Sequence, residues 1–473
     1  MRCGTVHFAE NLKNPQKRML AKSGCYPESL YGDVVSRTTQ NFIIYYTRTG
    51  SHAIKENRYI DTLAFYLEQA YNLHKNILGM KNMLGARKTF HYLQDVPNGL
   101  YPVEVVDTGL LRDLEGEYSL AFGLTFSPGT NLKATQIVLE NDFLSGADCS
   151  GNLSTKPFLS YSGINYSINW NLGLKITVFH ELYHAFQFTY YDISKNSTFW
   201  LESSAAAVEA IGAPDVDDYV GYLQYNFKSP GTPMSDIKSG SYEEYSWASL
   251  YLFLYSRIGP RFDSEIWNWF SKYPKNNFEA QLDSFVNSLQ KKHRFDKNTE
   301  DLFHEYATHV FYSGNRADFS PYAHFWMDMQ KWPEWKINTE TPVLAPGAID
   351  FVRTANGEEP STVSARKTLL HYGNSSVWAL SRLLEKEIVA TKTIVAYPNP
   401  WNPRKNPALS FKHLPEKSKG VEIRTANGAL LTRLESKQGD SLLIWEPKKF
   451  PAPGILYYRT LPHGKNKTII IQY

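Results

Sequence analysis

Cysteine is nearly absent from this chain of 473 residues: Cys3, Cys25 and Cys149 are all there is, an odd number with no metal-ligand spacing. That argues against a thiolate metal site and a disulfide-stapled scaffold. Cys3 and Cys25 could join in an oxidising compartment, the alternative being three unlinked thiols. Long apolar runs are missing too. None approaches the ~18 residues of a membrane-spanning helix, and the longest, residues 247–255, reads as a buried helix. No secretory leader is visible, because Met1-Arg2-Cys3-Gly4 runs straight into polar residues, which taken alone points to the cytoplasm. Charge of one sign is also lacking. A net +3 gives no expectation of a nucleic-acid partner. Only the tail is unbalanced, with 13 Lys and Arg against 5 Asp and Glu from residue 394 onward. Such a tail could touch anionic polysaccharide or lipid headgroups, solvated surface lysines being the plainer reading.

The composition is otherwise globular, 42% hydrophobic and 21% charged, and the length suggests two to four domains. One string carries chemistry: His180-Glu181-Leu182-Tyr183-His184, following the apolar run from Leu174 to Phe179. On a helix, residues four apart share a face, so His180 and His184 aim two imidazoles at one point, half of a metal site. Glu181, roughly 100° round the helix, would lie beside a water at that point and suits a general base. Such a string arises by chance in roughly one chain of this size in fifty. A second signal is therefore needed.

Phe199-Trp200-Leu201-Glu202 supplies it. A catalytic zinc takes three protein ligands and leaves a fourth position for water, so a third ligand must come from another element. Glu202, 18 positions after His184, leaves room to finish one helix, turn and begin another. The alanine-rich stretch that follows favours helix and close packing. Glu209, seven residues on, falls on the same face and could hold a ligand histidine by its second nitrogen.

The His-Glu-x-x-His string with Trp-Leu-Glu and a later acid resembles the gluzincin zinc metallopeptidases, and more narrowly a group of secreted bacterial metalloproteases with a peptidase M1-like or thermolysin-like core. Cys3-Gly4-Thr5, Asn41 to Tyr46, Ile137 to Phe143, His184-Ala185-Phe186-Gln187-Phe188 and Asp217-Asp218-Tyr219 also carry the resemblance, across most of the first 320 residues. It implies one catalytic Zn2+ on His180, His184 and Glu202, a catalytic base at Glu181, and an oxyanion-binding tyrosine before an apolar helix. Tyr245 is the first choice for that tyrosine and Tyr242 the second; the usual Lys-Gly after it is replaced by Trp247-Ala248. It also implies an edge strand that binds extended substrate. Residues 135–140 read as that strand, and Glu140-Asn141 at its end resembles the pair with which related aminopeptidases hold a free amine, a strand-end or turn role being the alternative. Cys3-Gly4-Thr5 resembles the start of a mature secreted region and so points outside the cell, against the missing leader.

The expected fold is multidomain α+β. Residues 1–335 would form a gluzincin-type catalytic domain with a mixed sheet lobe and a helical lobe. Strands are read near residues 41–47, 88–94, 101–107 and 135–140, with a helix over 58–78. Further helices are read at 216–225, 245–257, 263–272, 278–289 and 299–312. Two small all-β domains would follow, at 336–393 and 394–473. Arg353-Thr354-Ala355-Asn356-Gly357 recurs at 424–428, and both copies read as turns. Tyr397-Pro398-Asn399-Pro400-Trp401-Asn402-Pro403 resembles the opening of C-terminal immunoglobulin-like modules of secreted bacterial proteins, some of them type IX sorting domains, others hook-capping-like. Its prolines suit a linker and edge strand. A secretion-machinery or cell-surface contact is then expected of this module, a purely structural β-sandwich being the alternative. The functional expectation is zinc-dependent hydrolysis of peptide bonds in a peptide or protein substrate, in an extracellular or cell-surface bacterial setting. The alternative is an inactive zinc-binding scaffold of the same fold that acts as a secreted or surface binding protein.

Overall fold

The structure, a computed structural model, describes residues 32–472 apart from 51, 109–120, 145–156, 161, 191–198, 238–240, 275–276, 341, 362–364, 385–394, 413, 415–417, 438–441 and 462–466. All three cysteines, with the expectations attached to them, lie outside the described residues. The fold is α+β and the chain forms two compact units, Met1–Lys386 and Glu387–Tyr473.

The first unit begins with a mixed sheet. Strands β1 (Val34–Thr38), β2 (Phe42–Thr47), β3 (Leu84–Gly85), β4 (Tyr101–Val106), β5 (Gly123–Phe126) and β6 (Ala134–Glu140) lie in the order β1-β2-β4-β6-β3, with β5 also paired to β6. Pairs β2–β4, β4–β6 and β3–β6 are parallel, while β1–β2 and β5–β6 are antiparallel. Strands β2 and β4 are buried at every position, as near-continuous apolar runs covered on both faces should be. Helix α1 (Tyr59–Asn72) turns Tyr59, Ile60, Leu63, Ala64, Leu67 and Ala70 inward, the period read from sequence, and ends in a single π-turn, Leu73–Ile77.

Two sequence expectations fail in this lobe. Residues 88–94 do not form a strand; only an isolated bridge, Lys88 to Asp95, closes the segment. Buried Glu104 takes the backbone N–H groups of His91 and Tyr92 at 3.1 and 2.8 Å, and a carboxylate so placed removes the donors a ladder would use. The strand at 134–140 is not an edge either, being paired to both β4 and β5 and, at its start, to β3.

Helices α2 (Trp170–Gln187), α3 (Phe199–Gly212), α4 (Asp218–Phe227), α5 (Tyr242–Tyr245), α6 (Ala248–Ile258), α7 (Phe262–Lys272), α8 (Phe278–Lys291) and α9 (Thr299–Val310) follow. The helix expected over 245–257 is divided, because Ser246 and Trp247 separate α5 from α6. α2 is buried all round from Ile176 to Gln187, the mark of a central helix.

The sheet of β7 (Ala348–Val352), β8 (Arg366–Tyr372) and β9 (Ser375–Arg382), ordered β7-β9-β8, is not set apart from this helical body. Ile349, Phe351, Leu370, Val377 and Ala379 belong to the same hydrophobic core as the helices, and the rings of Phe311 and Phe351 lie 5.1 Å apart. His304 of α9 bonds Ser381 at 2.8 Å and Thr368 at 2.7 Å. This sheet therefore packs on the core of the preceding helices through one face, while Leu344, Ala348, Val352 and Leu380 form a small cluster of their own.

Among its described residues the second unit is a β-sandwich of seven antiparallel strands. Sheet β10-β11-β14 comprises Val395–Tyr397, Leu409–Lys412 and Leu442–Trp445; sheet β13-β12-β15-β16 comprises Leu430–Glu435, Gly420–Thr425, Gly454–Leu461 and Lys467–Ile471. Both sheets turn side chains into one core, Trp401, Leu409, Phe411, Val421, Ile423, Trp445, Leu456 and Ile469 among them. The strand ahead of Pro398 sits on an edge, where the missing N–H of proline costs no ladder bond. Asn427-Gly428 makes the β12–β13 turn, with Gly428 at φ 86°.

Candidate metal centre

α2 and α3 pack along each other, and Ala205 and Ala206, three and four residues after Glu202 and so on its face of α3, are completely buried. That approach brings Glu202 to the two histidines. His180 Nε2 lies 3.1 Å from His184 Nε2 and 3.2 Å from Glu202 Oε2, and His184 Nε2 lies 3.5 Å from Glu202 Oε1. All three side chains are fully buried, and among the described residues theirs is the group of metal-ligand type that converges in this way.

The other ring nitrogens fix the tautomers. His180 Nδ1 is 2.6 Å from Glu209 Oε1, and His184 Nδ1 is 2.6 Å from Gln187 Oε1. The Gln187 amide nitrogen donates to the Leu201 carbonyl at 3.2 Å, which leaves its oxygen toward His184. Each imidazole thus donates through Nδ1 and presents an Nε2 lone pair to the centre. Two lone pairs 3.1 Å apart beside a buried carboxylate repel unless a cation or proton lies among them. The spacing suits a metal: donors about 2.0–2.1 Å from a tetrahedral ion stand about 3.3–3.4 Å from one another. Glu202 Oε1, buried and without a hydrogen bond, is an acceptor the same ion would satisfy.

The electrostatics agree. Burial opposes an imidazolium, but the Glu202 and Glu209 carboxylates outweigh it and raise His180 to about 10. Burial likewise opposes charge on Glu202, but His184 and His180 hold its carboxyl well below the usual range. Burial pushes Glu209 up to about 7 against the pull of His180. The cluster accommodates positive charge at its centre.

Glu181 is buried beside this triangle. Thr125 of β5 places its hydroxyl 2.9 Å from Glu181 Oε2 and 2.7 Å from the Glu181 carbonyl. Strand and helix can approach this closely only because residue 123 is glycine. A Cβ there would sit 2.9 Å from Glu181 Cγ and 2.8 Å from Thr177 Cγ2. The strand beside the site is therefore β5, whose side away from β6 carries no partner strand among the described residues, and not 134–140.

The ring of Tyr245 stacks on His180 at 5.9 Å and 13°. Tyr242 lies further out, stacked on Tyr222 at 5.7 Å and on Tyr225 at 5.4 Å. Glu140 and Asn141 are not brought to the triangle as binding groups but tied into the sheet end. Glu140 Oε2 accepts from the Thr108 N–H at 2.7 Å, Asn141 donates to the Ala53 carbonyl at 3.1 Å, and burial raises the Glu140 carboxyl well above its usual range. Sequence reasoning missed Gln187, Thr125 and Gly123. Gln187 was findable, three residues after His184 on the same helix face; the other two depend on which strand meets the helix.

No helix among the described residues is long and apolar enough to cross a membrane. No family model and no curated protein matches the chain. Among solved structures, PorZ, described as an essential bacterial surface component of the type-IX secretion system of Porphyromonas gingivalis, aligns at 15% identity and a TM-score of 0.17. The match covers 25% of this chain and 16% of the PorZ chain, a likeness too slight to carry an argument.

Proposed function

We propose that the first unit is a zinc-dependent peptidase of gluzincin type. The observation that carries this reading is the buried triangle of His180 Nε2, His184 Nε2 and Glu202, with edges of 3.1, 3.2 and 3.5 Å and both second nitrogens anchored. Zinc suits two imidazoles and one carboxylate with a fourth position left open, and when bound it supplies Lewis-acid polarisation of a carbonyl and a more acidic water. The residues do the rest. An extended substrate pairs with the side of β5 away from β6. Glu181, oriented by Thr125, accepts the proton of the attacking water and passes it to the departing amine. Tyr245 donates its hydroxyl to the developing oxyanion. Glu209 and Gln187 hold the ligand imidazoles in one tautomer. The bond broken is the peptide C–N, and the products are a carboxylate and an amine.

One observation favours a second reading. Glu181 and the three ligand residues are all fully buried, as in closed structural sites, so a bound metal could serve to staple α2 to α3 in a binding protein. Metal analysis of purified protein together with peptide hydrolysis by wild type and Glu181→Gln separates the two. One equivalent of zinc, hydrolysis by wild type and a loss of about 100-fold or more in the variant are expected. Zinc without hydrolysis in either protein would establish the stapled scaffold, and no metal would reject both. The resemblance of the sandwich unit to modules of secreted proteins supports a location outside the cell; recovery solely from cytosol would overturn that location.

A further inference from the structure

We propose that the second unit binds an extended acidic peptide segment of another protein by strand addition to β14. Each sheet of the sandwich ends in an open strand, β13 and β14, and between them runs a groove of ≈ 830 Å³ lined by residues of both and by the segment 446–452. Open edges are normally guarded by charge, proline or a bulge. β13 is guarded, with Arg433 and Glu435 on the strand and a bulge opposite Ile423 and Arg424. β14, Leu442-Leu443-Ile444-Trp445, carries none of these, and no described strand pairs with its outer side.

The side chains around that edge are apolar and exposed: Leu431 by 42%, Ile444 by 53% and Phe450 by 44%. Trp445 alternates inward and anchors the strand, its ring 5.5 Å from that of Trp401. The floor is thus rigid while the rim offers apolar contact to every second residue of an added strand, the pattern strand addition requires. Charge selects the occupant. Lys448 and Lys449 line the groove with no ion-pair partner among the described residues, against Glu446 alone, within a unit that is basic overall. A segment alternating apolar with acidic residues would place apolar side chains on Leu431, Ile444 and Phe450 and carboxylates near the two lysines. The four residues of β14 set the length, about 13 Å of paired strand.

The test uses the full chain and a fluorescein-labelled heptapeptide of alternating valine and glutamate, read by anisotropy and by backbone hydrogen exchange. The expected result is saturable binding, protection gained at residues 442–445, and at least tenfold weakening in the double variant Lys448→Glu, Lys449→Glu, whose exposed side chains leave the fold intact. Alternate N-methylation of the peptide, which removes ladder donors, should abolish binding. Equal binding of the N-methylated peptide or of a valine–lysine peptide would overturn the proposal. Failure to bind below about 1 mM would do the same, as would capture of heparin with no capture of the peptide. None of these results depends on hydrolysis by the first unit.

Discussion

Replacing Gly123 by alanine tests whether β5 positions Glu181. The added Cβ would meet Thr177 Cγ2 at 2.8 Å, Glu181 Cγ at 2.9 Å and Leu139 Cδ2 at 3.1 Å, whereas ordinary contact begins at 3.4 Å. Relief of about half an ångström is needed on three sides at once. Leu139 is buried in the sheet and Thr177 in α2, so neither side can simply step away. Either β5 lifts off the helix or the Glu181 side chain turns aside, and overpacking of this kind costs about 1–3 kcal/mol. Thermal melting should fall by about 2–6 °C. If Glu181 is the base, a displacement of this order should reduce hydrolysis about 10- to 100-fold. Bound zinc should be unchanged, because the three atoms met belong to none of the ligand residues. Melting is read by circular dichroism, turnover on a quenched fluorescent peptide and metal by elemental analysis. Wild-type turnover with an unshifted melt would refute the close strand–helix approach. Lost zinc at an unshifted melt would refute the separation of base from ligands.

Gln187→Leu removes the acceptor that fixes His184 Nδ1, and zinc affinity should fall about 10- to 100-fold in chelator competition; Gln187→Glu, which keeps an acceptor, should retain most of it, and equal affinity in all three proteins would count against the anchoring role. Burial raises Asp263 to about 7 although Tyr183 donates to it at 2.6 Å. A folded-state pKa above the unfolded ~3.9 means this group stabilises most at low pH and loses that contribution as pH rises through about 7. Asp263→Asn should flatten the decline in melting temperature between about pH 4 and 7, and an unaltered profile would refute the assignment. In the sandwich, Glu422 is held down to about 2 chiefly by Arg424, with Arg433 and Arg459 beside it. Its contribution is present above the unfolded ~4.3 and lost as pH falls toward 2. Glu422→Gln should lower urea stability at pH 7, followed by Trp401 and Trp445 fluorescence, and the difference should vanish near pH 2.

The residues that converge on the candidate centre were legible because each sits at a helical spacing: four between the histidines and seven from Glu202 to Glu209, so one turn geometry fixes all of their directions. Strand β2 was legible for the same kind of reason, since a strand covered on both faces reads as a nearly unbroken apolar run. What failed was set by partners remote in sequence. The segment 88–94 has strand composition, yet its N–H groups go to Glu104, a buried acid inside β4 that reads locally as an interruption. β5 is only Gly-Leu-Thr-Phe, too short to show a period, and its glycine, which locally weakens a strand, is what lets the strand meet α2. The break at Ser246 and Trp247 lies within an apolar run that alone favours one helix, and it sets Tyr245 at the end of a separate short turn, where its ring can lie flat on His180. Residues 336–393 read as a small β-domain from short apolar runs at 348–352 and 376–380; in the structure Ile349 and Phe351 pack into the helical core, and no local pattern distinguishes burial against one's own sheet from burial against a helix. Direction along an element is thus encoded locally, whereas the identity of the covering surface is not. The convergence of His180, His184 and Glu202 follows from the first, and the placement of Glu181 against β5 depends on the second.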